Sequence, residues 1–177
     1  AKYREKLGEF ALEVRDKMQR RFGAVKLNTS FPVLFDNRTT GAFETYYRAR
    51  GIEPALKKEL DDVLTELVGT STTKLFTANM SLEAQWRILQ SKKVVVAGEG
   101  AFFAWSMFAS ENATWICVSN HTRPPKFDIR VSNWHAGIAS AYPFLRFVVY
   151  MIDHDRREPV SVFRYFFPVA AGLRVVS

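Results

Sequence analysis

The stretch "ATWICVSNHTRPPKFDIRVS", residues 113–132, decides how the second half of the chain is read. Two runs, "ATWICVS" (113–119) and "KFDIRVS" (126–132), flank the turn-rich "NHTRPP" (120–125). In the second run Phe127, Ile129 and Val131 alternate with Asp128, Arg130 and Ser132, the period-two pattern of a strand with one wet face. Strand, turn, strand predicts an antiparallel hairpin. "FLRFVVYMI" (144–152) and "VSVFRYFFPV" (160–169) repeat the theme around "DHDRREP" (153–159), which predicts a second one.

Upstream the periodicity changes to that of helices. Tyr3, Leu7, Phe10, Val14, Met18 and Phe22 recur every three or four residues, which predicts a helix over 3–22 with that stripe buried. Glu13 with Lys17 and Asp16 with Arg20 lace its other face at i,i+4, and Gly23 is a natural stop. Residues 24–52 carry loop vocabulary, with a short strand expected at 33–35 and a short helix over 42–48. Pro54 opens a second helix closed by Gly69, with Leu56, Leu60, Val63, Leu64 and Leu67 as its apolar stripe. Ser81 is an N-cap for a third, which presents Leu82, Trp86 and Leu89. "AFFAWSMFA" (101–109) is apolar almost all round and predicts a short buried helix. The expected fold is one α+β domain over residues 1–177, a helical N-terminal half followed by antiparallel β-hairpins.

Composition bounds the function. The chain has 177 residues, enough for an independent core, and 14% of them are aromatic, a surplus that serves cores, stacking surfaces and subunit contacts alike. Net charge is +7, and residues 1–50 contribute most of it, with eleven lysines and arginines against six acids. That balance points to an acidic partner. A single cysteine excludes an internal disulfide framework and a cysteine-based zinc site. The charged opening "AKYREKLGEF" has no secretory apolar region, and no run is long and apolar enough for a membrane span. Asn28, Asn37, Asn79, Asn112 and Asn120 each begin an N-x-S/T triplet, read here as turn and capping chemistry rather than glycan acceptors.

The motifs of catalysis are weak. "GEG" at 98–100 lacks the Gly-Lys-Ser/Thr of a phosphate loop and the third glycine of a dinucleotide fingerprint. Lys92, Lys93, Gly98 and Gly100 ahead of a helix could still hold a single phosphate. Cys117 sits among Trp115, Ile116 and Val118, where burial disfavours its thiolate, so it reads as packing. His121, His135 and the "DHD" of Asp153–His154–Asp155 show no metal-ligand spacing. No catalytic residue, metal site or cofactor is expected.

Basic residues interleaved with aromatics are the stronger signal. "ETYYRARG" sets Tyr46 and Tyr47 beside Arg48 and Arg50, stacking rings next to phosphate-seeking guanidinium groups. The 116–135 region adds Arg123, Lys126 and Arg130 with Trp134, and Arg156, Arg157 and Arg164 border a further aromatic run.

Trp115, Asn120, Arg123, Pro124, Pro125 and then Asn133–Gly137 resemble a segment of the coat proteins of flexible filamentous, potexvirus-type plant viruses. The resemblance covers residues 115–137, requires 126–132 as an insertion, and places His135 where that family has glutamine. It implies single-stranded RNA in a basic groove, self-assembly through exchanged arms, and an all-α filament-coat fold as the alternative architecture. The expected function is a non-enzymatic, self-assembling viral structural protein (coat, capsid or matrix) of the virion or host cytoplasm. It would bind RNA or another polyanion through Tyr46, Tyr47, Arg48, Arg50, Arg123, Lys126, Arg130 and Trp134, and form a homo-oligomer or larger assembly. The competing expectation is a small enzyme that uses His121, His135 or His154 with Asp153 as an acid–base pair in an aromatic-lined pocket.

Overall fold

The computed structural model describes residues 2–29, 32–35, 54–68, 73–74, 80–98, 101–121, 141–153 and 161–172. Three apolar runs, 94–98, 113–118 and 147–150, are continuous rather than alternating, and each forms a strand covered on both faces. The strands are β1 (Val33–Phe35), β2 (Thr73–Lys74), β3 (Val94–Gly98), β4 (Ala113–His121) and β5 (Leu145–Asp153). They form one sheet in the order β2-β1-β3-β4-β5, and every neighbouring pair is parallel.

That overturns both fold expectations. The sheet excludes an all-α fold. Both neighbours of β4 are parallel, β5 through nine register pairs from Ala113 with Leu145 to His121 with Asp153, which leaves no antiparallel hairpin partner for 113–119, and the run expected to return beside β5 is helical. Parallel neighbours need a crossover between them, and the chain that joins β4 to β5 is residues 122–144. The alternating segment 126–132 that suggested a hairpin lies in that connection, outside the described residues, as does the helix expected over 42–48. "VSVFRYFFPV" is not a strand either. It belongs to a helix, Ser161–Ala171, with Phe163, Phe167, Ala170 and Ala171 buried at i, i+4, i+7 and i+8.

The other helices follow the sequence. α1 spans Lys2–Phe22 and ends at Gly23, whose φ of +80° and N–H bond to Gln19 O (2.8 Å) make a left-handed cap. α2 spans Pro54–Val68, and α3 spans Leu82–Gln90 with Ser81 Oγ accepting from Ala84 N–H at 3.2 Å. A 3₁₀ helix covers Ala101–Phe108, and Ser161–Ala171 is α4.

Strand alternation divides the core into two layers. On one side Val33, Phe35, Val94, Val96, Ile116, Val118 and Tyr150 meet Leu60, Val63 and Leu64 of α2 and Phe163 and Phe167 of α4. On the other, Leu34, Val95, Ala97, Trp115 and Cys117 meet Met18 of α1, Trp86 and Leu89 of α3, and Phe108 of the 3₁₀ helix. Cys117 is buried there, as its neighbours implied. The chain steps from β1 outward to β2 through α2 on the first face. It then steps back through β3 to β4 by way of α3 and the 3₁₀ helix on the second. Right-handed crossovers require that change of face when the direction of stepping reverses.

α1 departs from its expected stripe. Gly8, Ala11 and Met18 are buried, while Tyr3 is 85% and Phe10 53% exposed. Glycine at position 8 sets this rotation, because a Cβ there would stand 2.6 Å from Ala141 O. Ala11 then packs with Tyr142 and Phe144, whose rings stack 5.6 Å apart. Of the two expected ion pairs on α1, Lys17–Glu13 is present at 2.6 Å and lowers the Glu13 pKa, through the hydrogen bond first and Coulomb attraction second. In α3, Leu82 is exposed and Gln85 is buried in its stead, donating Nε2–H to Met80 O at 2.9 Å.

Candidate ligand-binding edge

Because all five strands point the same way, every connection that follows a strand begins at one edge of the sheet, the carboxyl edge. The register aligns the described parts of the strands. Phe35 of β1 pairs with Val96, so β3 runs two residues further, to Gly98. Gly98 pairs with Val118, and β4 runs on through Ser119, Asn120 and His121. Asp153 of β5 keeps level with His121.

The stepping direction reverses between β1 and β3. β1 and β3 are neighbours, yet the chain leaves β1 toward α2 on one face and leaves β3 toward the 3₁₀ helix on the other. In open α/β sheets the diverging connections at such a point leave a crevice outside the carboxyl ends of the strands, and ligands bind there. β3 ends at Gly98 and the 3₁₀ helix begins at Ala101, so Gly98 lies where a strand gives way to a helix, a setting that suits close approach of an anion, and Gly100 lies outside the described residues.

Lys92 and Lys93 do not belong with those glycines. They precede β3 at the opposite edge, about 20 Å from Gly98 along the strand. Lys92 is 3% exposed there, and burial lowers its pKa.

The residues expected to bind polyanion all lie outside the described ones, but the strands fix which connections carry them. Tyr46, Tyr47, Arg48 and Arg50 belong to the connection that leaves the carboxyl edge after Phe35 and enters α2 at Pro54. Arg123, Lys126, Arg130 and Trp134 belong to the connection that leaves it after His121. His154, Arg156 and Arg157 follow β5 from the same edge, and His135 lies in the 122–144 connection. Arg164 is apart from these: it sits in α4 and pairs with Glu66 of α2, which raises its pKa.

No family model matches this chain, and no curated protein matches it.

The opposite, amino edge is closed by polar contacts. Ser110 Oγ donates to Lys92 O at 2.6 Å, Gln90 Nε2 donates to Phe108 O and Ala109 O, and the Arg15 guanidinium donates to Ala109 O. Arg15 also lies 3.9 Å over the Phe144 ring. Burial lowers the Arg15 pKa, and the nearby Glu111 and Asp16 partly restore it. Asn112 makes the turn into β4 at φ +61°, a left-handed position that asparagine tolerates, which fits the turn reading of its triplet. An open, mostly apolar groove of about 440 Å³ lies between β5 and α4, lined by Arg146, Val148, Tyr165, Phe166, Val169 and Ala170.

Sequence reasoning missed the pairing of β4 with β5. Its signal was present: both runs end in a titratable residue, His121 and Asp153, after continuous apolar stretches of the kind parallel strands need. Among the described residues no helix is long and apolar enough to cross a membrane.

Proposed function

We propose that this chain is an α/β ligand-binding domain that takes a nucleotide-class ligand in the crevice above β1 and β3. The observation that carries the reading is the reversal of strand order between those two neighbours in a sheet whose strands are all parallel. Arg48, Arg50 and Arg123 in the connections from that edge would meet phosphates, and Tyr46, Tyr47 and Trp134 are candidate stacking surfaces for a base. Gly98 and Gly100 would let the backbone approach the phosphate at the start of the 3₁₀ helix. The polyanion contact expected from the sequence thus becomes contact with the phosphates of a small ligand.

Titration of ¹⁵N-labelled protein with a panel of nucleoside mono-, di- and triphosphates tests this. Saturable shifts in the amides of Phe35, Gly98 and Ala101 are expected, with those of Lys92 and Arg146 unmoved. Absence of any saturable response across the panel would overturn it. RNA binding with a steep salt dependence and no nucleotide binding would favour the polyanion reading in its original form.

Self-assembly as a coat or capsid protein is the second reading. The observation that favours it is the exposed apolar pair on α4, Tyr165 (77%) and Val169 (73%), beside the β5–α4 groove. Light scattering on purified protein tests it: a monomer at all concentrations removes it.

A further inference from the structure

We propose that His121 and Asp153 form an acid–base pair at the rim of the ligand crevice. The two are register partners, the last residues of β4 and β5, on adjacent parallel strands and at the same height of the sheet. Neighbouring strands lie about 4.8 Å apart, so the two residues are as close as the sheet allows any pair to be. Strand alternation puts His121 at the same parity as Trp115 and Cys117, and Asp153 at that of Phe147, residues of the second core layer. The pair therefore belongs to one face as well as to one edge.

Its position relative to the crevice follows from the same ladder. β4 borders β3, and His121 lies three residues past Val118, the register partner of Gly98, on the strand next to the switch point. Among the described residues, Gly98 and the 3₁₀ helix bring no titratable group to this height, and Glu99 lies between them in the chain. The charged residues next along the chain are Arg123 after β4, and His154 and Asp155 after β5.

A carboxylate beside an imidazole accepts one ring N–H, fixes the tautomer and stabilises the imidazolium. The second ring nitrogen is then free to take a proton from a hydroxyl or water oxygen, while Asp153 stays ionised and no other group changes oxidation or protonation state. With a nucleoside di- or triphosphate in the crevice, this oxygen would be that of water or a second, hydroxyl-bearing reactant: its bond to the terminal phosphorus forms as the bond from that phosphorus to its bridging oxygen breaks, the shortened nucleotide leaves with that electron pair, and the proton stays on His121. The pair rests on the ligand-binding reading for that role, though not for its existence.

Imidazole NMR separates the two. The chain has three histidines, so His121 is assigned by its loss in His121→Asn. In the ligand-free protein His121 is expected to titrate above the ordinary histidine value of about 6.5, in one dominant tautomer, and its midpoint is expected to fall by about one unit in Asp153→Asn. A midpoint unchanged by Asp153→Asn overturns the pair. A mixed tautomer population in the unaltered protein does so independently, and needs no variant that must fold. If the midpoint shifts and no nucleotide binds, the pair stands and the ligand reading fails; if nucleotides bind and the midpoint does not shift, the reverse holds.

Discussion

The amino and carboxyl edges of the sheet end the same strands and are built on different principles. At the amino edge the chain is tied to itself. Lys93 N–H and Val94 N–H both donate to Pro32 O, Thr114 N–H to Lys93 O, Asn112 N–H to Phe144 O and Asn28 N–H to Ser91 O, and the side chains of Arg15, Gln90 and Ser110 close the remaining carbonyls. At the carboxyl edge the described strands reach Phe35, Gly98, His121 and Asp153, and the connections that leave them lie outside the described residues. Groups that satisfy one another hold a fold together, whereas groups offered outward at a concave edge are free to meet a ligand. The amino edge carries stability and the proposed function is set at the other, a contrast that can be broken by substitution.

The body that both edges share sets the upper bound. Trp115, fully buried in the centre of β4, packs in the second core layer, and Trp115→Ala is expected to cost about 3–5 kcal/mol in denaturant unfolding. The amino edge comes next. Arg15→Met removes a charged hydrogen bond and a ring contact and should cost about 2 kcal/mol, with the loss reaching Phe144 and the turn into β5. Ser110→Ala removes one buried hydroxyl bond to Lys92 O, and about 1 kcal/mol is expected by the same measurement. If either amino-edge variant proved silent while protection of the β3 and β4 amides from exchange was unchanged, that edge would not be the structural one.

How much of this was written in the residues can be judged element by element. α1, α2 and α3 were legible because their signals are local: an apolar stripe of helical period, a proline start at Pro54, a capping serine at Ser81, a glycine stop at Gly23. The face of α1 was read less well. Phe10 looked like core and is half exposed, because the contact of Gly8 with Ala141, far along the chain, decides the rotation. The sheet was misread for a related reason. Strand direction is a long-range property, and the alternating 126–132 segment gave a hairpin pattern, while the parallel signal was the lack of alternation in 94–98, 113–118 and 147–150. In α4 the aromatic residues Phe163, Tyr165, Phe166 and Phe167 favoured a strand by propensity. Pro168 argued against a ladder, and the i, i+4 spacing of Phe163 and Phe167 against alternation. At the site, the basic and aromatic residues were visible as types, but only register brings His121 level with Asp153 and sends Lys92 to the far edge.

The smallest effects are expected at the carboxyl edge, and they test the comparison most sharply. His121→Asn and Asp153→Asn replace residues at the strand ends, so at a pH well above the imidazole midpoint each should change unfolding free energy by less than about 0.5 kcal/mol, whereas below about pH 6 each should also lose the roughly 1.4 kcal/mol that a midpoint raised by one unit contributes. A residue that binds or catalyses is not selected for stability, and replacing it by a neutral near-isostere leaves packing almost intact. At the higher pH the variants should therefore unfold at the same denaturant concentration as the parent while losing the raised midpoint of the imidazole or the imidazole itself. A cost at that pH as large as that of Arg15→Met would instead make His121 and Asp153 a structural pair that fastens β4 to β5. The carboxyl edge would then be tied in the same way as the amino edge, and the division of labour between them would be lost.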